Sequence, residues 1–192
     1  GGVPYYDETV DPTDMALYKD RDSYLYIAQK ILEDFQNALE NVRVDDTKRQ
    51  VNRYVVGAYM SRELLYHATW LKYHGSTVGP DAEKIADEDI KSLLQGAING
   101  ANVVIGSNKY SIGNTYNALF TTDDLADNKE VIWYREYTSG LQGNALMSYN
   151  GPEDQTQGGV TQNVVDSYLC SDGLPIGQSP NYQGSQDPSI QY

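Results

Sequence analysis

The chain contains little cysteine, few basic residues and no long apolar run. Cys170 is its one cysteine, so no internal disulfide can form, and we interpret it as an inert thiol. The 14 basic residues face 27 acidic ones, which gives a net charge of −13. Nucleic-acid binding requires a basic face, and this composition argues against it. No stretch of about 20 apolar residues is present that could cross a membrane.

Catalytic signatures are also scarce. The chain has two histidines, His67 and His74. On one predicted helix, seven residues place them about 10.5 Å apart, too far to share a metal ion. We interpret them as surface or helix-end residues. The sequence has no nucleophile elbow and no phosphate-binding loop. It therefore predicts neither an enzyme nor a cofactor.

Acidic residues offer two further interpretations. Adjacent acids could serve a glycosidase, but pairs arise by chance among 27 acidic residues. Those pairs are Asp123/Asp124 and Glu153/Asp154. An oxygen-rich loop could bind Ca²⁺, although it lacks the EF-hand spacing and a solvated loop is the alternative. Its residues are Asp123, Asp124, Asp127, Asn128 and Glu130.

Tyrosine is in excess, with 17 residues against 2 Trp and 2 Phe. A plain core would use more Phe, because a buried Tyr must satisfy its hydroxyl group. Rings with a polar edge suit carbohydrate, which offers C–H faces and hydroxyl groups. The alternative is a set of tyrosines that pack between helices.

Apolar periodicity predicts two long helices in the first half of the chain. The first spans Arg21–Asn41, with Asp22 or Ser23 as its cap. The second spans Asp45–His74, begins at Asp46 or Thr47 and stops at Gly75. The second has a wide predicted apolar face: Val51, Val55, Ala58, Tyr59, Leu65, Tyr66 and Trp70. Gly57 within it predicts a close helix crossing, since Gly costs about 1 kcal/mol relative to Ala in a helix.

A third helix is predicted over Asp81–Gly106, ended by a left-handed turn at Gly106 and Asn108. A short helix follows, with Asn114 as its cap and Leu119 and Phe120 at its end. We expect two antiparallel pairs, the first helix with the second and the third with the short one, although the sequence shows no exact repeat.

Helical periodicity is lost after residue 121. A β-type run is predicted over Glu130–Tyr137, then a long loop over Ser139–Gly159. A short helix is expected over Val160–Leu169, with Thr161 as its cap. The chain thus divides into a helical region, 1–120, and a loop-rich region, 121–192. The first residues lack an initiator Met and a signal peptide, and the last eighteen lack any element, so we expect an interior piece of a longer protein, truncated at its C-terminus.

Two motif blocks in this chain have a specific joint spacing. The first, V-x-x-S-x-K/R-Y-x-L … Y-x-x-L-F … E-x-I-W/F, is met by Val104, Ser107, Lys109, Tyr110, Ile112, Tyr116, Leu119, Phe120, Glu130, Ile132 and Trp133. The second, P-T-x-x-x-V/L-x-x-Y/F-x-x-x-D-G-x-P-I, has Val160 in place of its first Pro and is otherwise met by Thr161, Val165, Tyr168, Asp172, Gly173, Pro175 and Ile176. Together they resemble the SusD/RagB proteins, surface glycan-binding lipoproteins of Bacteroidetes nutrient-uptake systems. Ile112 departs from the usual Leu of the first block.

The resemblance implies a mainly α fold with tetratricopeptide-like (TPR-like) helical hairpins and a long, partly irregular loop region. It implies a non-enzymatic function, the binding of oligo- or polysaccharide and its delivery to a SusC-like TonB-dependent transporter. The expected place is the extracellular face of the outer membrane, with a lipid anchor outside this fragment. A TPR-type scaffold that binds protein and no sugar is the alternative, and a glycan-degrading enzyme is a more distant one.

The candidate ligand-binding residues are rings and amides on the loop after the β-type run. They are Tyr137, Gln142, Asn144 and Tyr149, with Asn150 and Gln155 beside them. Trp133 is a further candidate, although the resemblance implies a core position for it. The sugar-contacting residues differ among members of the family, so the resemblance indicates a region and no particular residue.

Overall fold

The structure, a computed structural model, describes residues 2–45, 47–75, 85–113, 116–122, 124–137, 143 and 159–182. The chain forms two compact units, Gly1–Glu136 and Tyr137–Tyr192. In the described residues the first unit is built from helices, and the second adds a single antiparallel bridge between Leu169 and Pro175. The expected mainly α class is confirmed.

Helix α1 spans Tyr24–Asn41. The Ser23 hydroxyl accepts a hydrogen bond from the Tyr26 backbone N–H at 3.0 Å, so Ser23 is the cap. Asp22 instead accepts from the Tyr5 N–H at 2.7 Å and forms an ion pair with Lys19 at 3.0 Å. The prediction of a start at Arg21 is wrong because residues 21–23 are extended. A short 3₁₀-helix, Met15–Tyr18, precedes them.

Helix α2 spans Arg53–His74, so the predicted start at Asp46 or Thr47 is wrong. Its cap is Asn52, which is completely buried. The Asn52 Oδ1 accepts from the N–H groups of Tyr54 and Val55 at 3.0 and 3.1 Å, and its Nδ2 donates to the Thr47 carbonyl at 3.2 Å. These bonds fix residues 47–51 as a turn outside the helix. Gly75 ends α2, as predicted.

Helix α3 spans Asp87–Ile105. Ile85 and Ala86 precede the helix, so their predicted helical conformation is wrong. The predicted first residue, Asp81, lies outside the described residues. Three acids, Asp87–Asp89, occupy the first turn, where the helix dipole favours negative charge. At the other end Asn108 takes the left-handed conformation, with φ of 55°, whereas Gly106 stays right-handed.

The core lies where α2 packs between α1 and α3. The buried cluster comprises Ala28, Met60, Leu64, Ala68, Leu71, Leu93 and Ala97. Of the predicted apolar face of α2, Val55 is buried, Ala58 and Trp70 are half-buried, and Val51, Tyr59, Leu65 and Tyr66 are exposed. The predicted face was wrong apart from Val55, because the buried residues follow a neighbouring stripe of the helix that includes Met60, Leu64, Ala68 and Leu71.

Two glycines allow the close crossing of α2 and α3, as the sequence predicted for Gly57. A Cβ on Gly57 would lie 2.9 Å from the Gly100 carbonyl oxygen. A Cβ on Gly100 would lie 2.6 Å from the Gly57 oxygen and 2.8 Å from the Ser61 nitrogen. The two backbones therefore touch. The expected pairing of the third helix with the short one is wrong, because α3 packs on α2 and α1.

Helix α4 spans Tyr116–Thr121, and the predicted cap Asn114 lies outside the described residues. Phe120 is 72% exposed. The described run 130–137 forms no strand, contrary to the prediction, because no second strand lies beside it. Its backbone instead bonds to turns: the Val131 N–H donates to Asn128 at 3.2 Å and the Tyr134 N–H donates to Lys48 at 3.0 Å.

In the second unit, helix α5 spans Gln162–Asp166 with Thr161 at the cap position, shorter than predicted. The turn after it is organised by Asp172. Its carboxylate accepts from the Leu174 N–H at 3.0 Å, the Ser179 hydroxyl at 2.7 Å and the Asn181 amide at 3.2 Å. The bond from Ser179 and that from Leu174 lower the pKa of Asp172. Gly173 occupies the left-handed position, with φ of 78°.

Candidate functional site

The predicted ligand-binding residues fall into two groups. Gln142, Asn144 and Tyr149, with Asn150 and Gln155, lie outside the described residues. Tyr137, 48% exposed, opens the second unit. Trp133 lies in the first unit and is 46% exposed, so the core position implied for it is wrong. The loop remains a predicted ligand site, and the described geometry draws attention to Trp133.

Trp133 lines an aromatic groove with a volume of about 500 Å³ in the first unit. One wall is the outer face of α2. The other comprises α4 and the segment that follows it. The lining residues are Val55, Ala58, Tyr59, Arg62, Leu119, Phe120, Leu125, Glu130, Val131, Ile132, Trp133 and Tyr134. Several of them belong to the first motif block: Leu119, Phe120, Glu130, Ile132 and Trp133.

Two rings dominate the aromatic groove. The centroids of Tyr59 and Trp133 lie 6.2 Å apart, with the ring planes at 71°, an edge-to-face arrangement. Tyr59 is 44% exposed, so both rings are partly accessible. Arg62 and Glu130 add a charge of each sign to the lining. The groove is therefore apolar on its surfaces and polar at specific points.

A second depression, the cationic pocket, has a volume of about 540 Å³. Its lining residues are Thr47, Lys48, Arg49, Lys109, Tyr110, Ala126, Asp127 and Tyr134. The Lys48 ammonium donates to the carbonyls of Ala126 and Asn128, both at 2.7 Å. The turn before α2 is thereby bonded to the loop after α4. Three cations and one carboxylate line this pocket.

Tyr134 belongs to both depressions. Its hydroxyl accepts a hydrogen bond from the Arg49 Nε at 3.2 Å. Arg49 also forms an ion pair with Glu136 at 2.9 Å. The bond to Tyr134 and the charge of Glu136 raise the pKa of Arg49 further above its ordinary value. Lys109 lies over the Tyr54 ring, 5.7 Å from its centroid. The cations of the pocket are thus fixed by neighbouring rings, carbonyls and acids.

The side-chain oxygen atoms of the acidic loop accept hydrogen bonds from backbone N–H groups. The Asp124 Oδ1 accepts from the Ala126 N–H, and the Asn128 Oδ1 from the Glu130 N–H, both at 2.9 Å. The Glu130 Oε2 accepts from the Gly113 N–H at 2.7 Å. Asp123 lies outside the described residues. Within the described ranges, no three His, Cys, Asp or Glu side chains form a group that could bind a metal ion.

Both histidines lie on α2, as predicted, in structural contacts. His67 is partly buried, and its Nδ1 lies 2.6 Å from the Tyr24 hydroxyl. Burial lowers the pKa of His67, with Glu63 acting in the opposite direction. Burial also raises the pKa of Tyr24 to about 12. Tyr24 and His67 therefore share one hydrogen bond at the edge of the core. His74 stacks on Trp70, with centroids 4.7 Å apart.

The sequence interpretation missed Lys48, Arg49, Lys109 and Tyr134, and took Tyr59 for a core residue. One signal was legible: Lys48 and Arg49 are the only adjacent pair of basic residues in the chain. The pairing of that dipeptide with a segment more than 80 residues away could not be read from local patterns.

Comparisons with known proteins give no assignment. No protein family, curated protein or solved structure compared with the chain matches it significantly. None of the helices in the described part of the chain combines the length and apolar character needed to span a bilayer. The resemblance to SusD/RagB proteins therefore depends on the two motif blocks in the sequence.

Proposed function

We propose that this chain is a non-enzymatic carbohydrate-binding protein of the SusD/RagB type. It binds oligo- or polysaccharide at the extracellular face of the outer membrane and delivers it to a SusC-like TonB-dependent transporter. Its membrane association uses a lipid anchor outside this fragment. The observation that supports the proposal is the aromatic groove, in which Tyr59 and Trp133 are both half exposed and their ring planes lie at 71°.

The chemistry of the aromatic groove suits a sugar. A pyranose ring packs its C–H face against an aromatic ring, and its hydroxyl groups bond to charged or amide groups. Arg62 donates and Glu130 accepts, so both kinds of partner line this groove. A sugar ring that buries about 60 Å² of apolar indole surface contributes about 1.5 kcal/mol of binding free energy, at about 25 cal/mol per Å². Two rings therefore provide affinity without a catalytic group.

The test is affinity gel electrophoresis of the protein in gels containing a panel of neutral polysaccharides. We expect at least one polysaccharide to retard the protein, with no release of reducing sugar. Trp133→Ala and Tyr59→Ala each weaken the apparent affinity by about tenfold, the ratio that corresponds to about 1.4 kcal/mol.

Tyr73→Ala is the matched control, since Tyr73 is an exposed tyrosine on the same helix, 68% accessible, outside the groove. Its retardation should equal that of the wild type. Circular dichroism of each variant confirms that the fold is intact. Retardation by no glycan contradicts the proposal, and released sugar identifies an enzyme instead.

A protein-interaction scaffold is the second candidate, and one observation favours it. Beyond the groove, α2 continues with exposed aromatic residues, Tyr66 at 54% and Tyr73 at 68%, with Trp70 stacked on Tyr66 at 6.0 Å. An exposed apolar helix face is typical of a protein contact. In that case no polysaccharide retards the chain, and Tyr66→Ala and Tyr73→Ala disrupt binding of a protein partner while Tyr59→Ala leaves that binding intact.

A further inference from the structure

We infer that the saccharide bound by this chain is anionic, with a carboxylate or sulfate group placed in the cationic pocket while its ring occupies the aromatic groove. The inference rests on the proposed function and adds the charge class of the ligand. It follows from the position of Tyr134, which lines both depressions.

Tyr134 joins the two surfaces directly. Its backbone N–H donates to the Lys48 carbonyl at 3.0 Å, and its hydroxyl accepts from Arg49 at 3.2 Å. Its chain neighbour Trp133 lines the aromatic groove. Consecutive Cα atoms lie about 3.8 Å apart, so the indole and the two cations are held within a single local structure. One ligand can therefore contact an aromatic ring and a positive charge together.

The charge of the cationic pocket is opposite to that of the chain. The chain carries −13, yet Lys48, Arg49 and Lys109 line this one pocket with Asp127 as the single lining acid. Glu136 pairs with Arg49. Three of the 14 basic residues of the chain thus line the cationic pocket. The cationic pocket therefore attracts a small anion although the net charge of the chain is negative.

Donors remain for a ligand after the contacts within the protein. A guanidinium group has five N–H donors and an ammonium group has three. The bonds to Tyr134 and Glu136 use two donors of Arg49, and the bonds to Ala126 and Asn128 use two donors of Lys48. These bonds also fix the positions of both cations, so less side-chain entropy is lost when an anion binds.

A sugar acid fits the two depressions better than a nucleic acid. A nucleic acid presents a row of phosphates and requires a basic face of matching length, whereas here a single pocket is basic. A saccharide with one acidic group per unit requires one such pocket beside an aromatic surface. Uronic acids and sulfated sugars share this chemistry, and the experiment distinguishes them.

Isothermal titration calorimetry of the full chain compares matched pairs of oligosaccharides. The uronate pair is an oligogalacturonide and its methyl ester; the sulfate pair is a carrageenan oligosaccharide, a sulfated galactan without carboxylate groups, and its desulfated form. We expect the charged member of one pair to bind about tenfold more tightly than its uncharged partner, a ratio equal to about 1.4 kcal/mol. This preference should decrease between about 50 and about 500 mM NaCl, because salt screens exposed charges.

Lys109→Gln and Arg49→Gln should reduce the preference toward unity. Lys48 is left unchanged because its ammonium bonds to the loop. Lys72→Gln is the matched control, since Lys72 is exposed at the end of α2 and lines neither depression. It should retain the full preference.

The outcomes separate the inference from the proposed function. Equal affinity within each pair overturns the inference. Binding of a neutral polysaccharide without binding of any charged oligosaccharide also overturns it, and leaves the proposed function in place. Binding of no glycan of either kind overturns both. A preference that Lys109→Gln and Arg49→Gln leave intact assigns the anion to another surface and overturns the inference.

Discussion

At the scale of single residues, the side chains of Asn52, His67 and Tyr24 near α2 are matched to hydrogen-bond partners in the protein. Asn52 is completely buried, yet its side chain makes three hydrogen bonds, two to the start of α2 and one to the preceding turn. His67 and Tyr24 satisfy one another at 2.6 Å. A buried polar group without a partner costs about 1–3 kcal/mol, so these pairings allow polar residues beside the core.

His67 makes stability depend on pH in a defined window. Its pKa in the folded protein is lowered from the ordinary value of 6.5, because burial disfavours the charged imidazolium. Below pH 6.5 the unfolded chain binds a proton that the folded chain does not, so the free energy of unfolding decreases as pH falls. The decrease begins near pH 6.5 and is complete once the pH is below the lowered pKa of the folded state.

Urea denaturation at steps from pH 7.5 to about 5 measures this decrease in the free energy of unfolding. Most carboxylates titrate below this pH range. We expect His67→Gln to flatten the profile, because Gln can accept from Tyr24 and carries no charge. His74→Gln, on the same helix but exposed, is the control and should keep the wild-type slope. Equal slopes in the wild type and His67→Gln would show that the pKa of His67 is the same in the folded and unfolded states, contrary to the prediction.

At the scale of elements, the contact between α2 and α3 depends on the lack of side chains at Gly57 and Gly100. The projected Cβ clashes involve backbone atoms, which cannot move aside as the end of a flexible side chain can. Gly96 is different, since its projected Cβ would lie 2.7 Å from the ends of Leu32 and Leu64. The first two glycines therefore control the distance between the helices, and Gly96 controls local packing.

Gly100→Ala tests this assignment by equilibrium unfolding in urea. Alanine gains about 1 kcal/mol of helix propensity, but forced separation of packed helices costs about 1–3 kcal/mol. We expect a net decrease in the free energy of unfolding of about 1 kcal/mol or more, since the clash is with backbone. Gly177→Ala, where a Cβ would meet nothing within 4 Å, should change stability little. A more stable Gly100→Ala protein would refute the close contact.

The helices were predictable as elements, and their boundaries and faces were less so. Ser23 was identified as a cap from its type and position. The start of α2 was not identified, because Thr47 and Asn52 are both suitable cap residues. Asn52 is the cap because its side-chain amide stabilises the turn that begins at Thr47. Tyr59 was assigned to the apolar face, since periodicity does not separate a ring that packs in the core from one that lines a groove.

At the scale of the whole molecule, the first unit contains the entire buried hydrophobic cluster of the described residues, from Ala28 to Ala97. The aromatic groove and the cationic pocket also consist of residues from this unit. The candidate site could not be predicted from the sequence because it joins segments near residues 48, 59, 109 and 133. The first motif block includes Trp133 and Lys109, but only Trp133 was predicted as a site residue, because the contacts of Lys109 required the fold.

A protein truncated after Glu136 should therefore fold by itself. It keeps α1 to α4, the core and the ion pair between Arg49 and Glu136. We expect a helical circular dichroism spectrum and a single cooperative thermal transition. Truncation after Ile112 is the control, since it removes α4 and the segment that bonds to Lys48, and its transition should lie lower. A broad, non-cooperative transition of the longer fragment would show that residues 137–192 are needed for its core.

The contact between Gly57 and Gly100 also affects how this chain can diverge during evolution. Because each position faces the backbone of the other, a mutation at either one is tolerated only in a lineage that has already moved the helices apart. We expect related chains to retain both glycines or to replace both together. Tyr59, two residues from Gly57 on the exposed side of α2, is under no such restriction and is able to vary without a change in the distance between the helices.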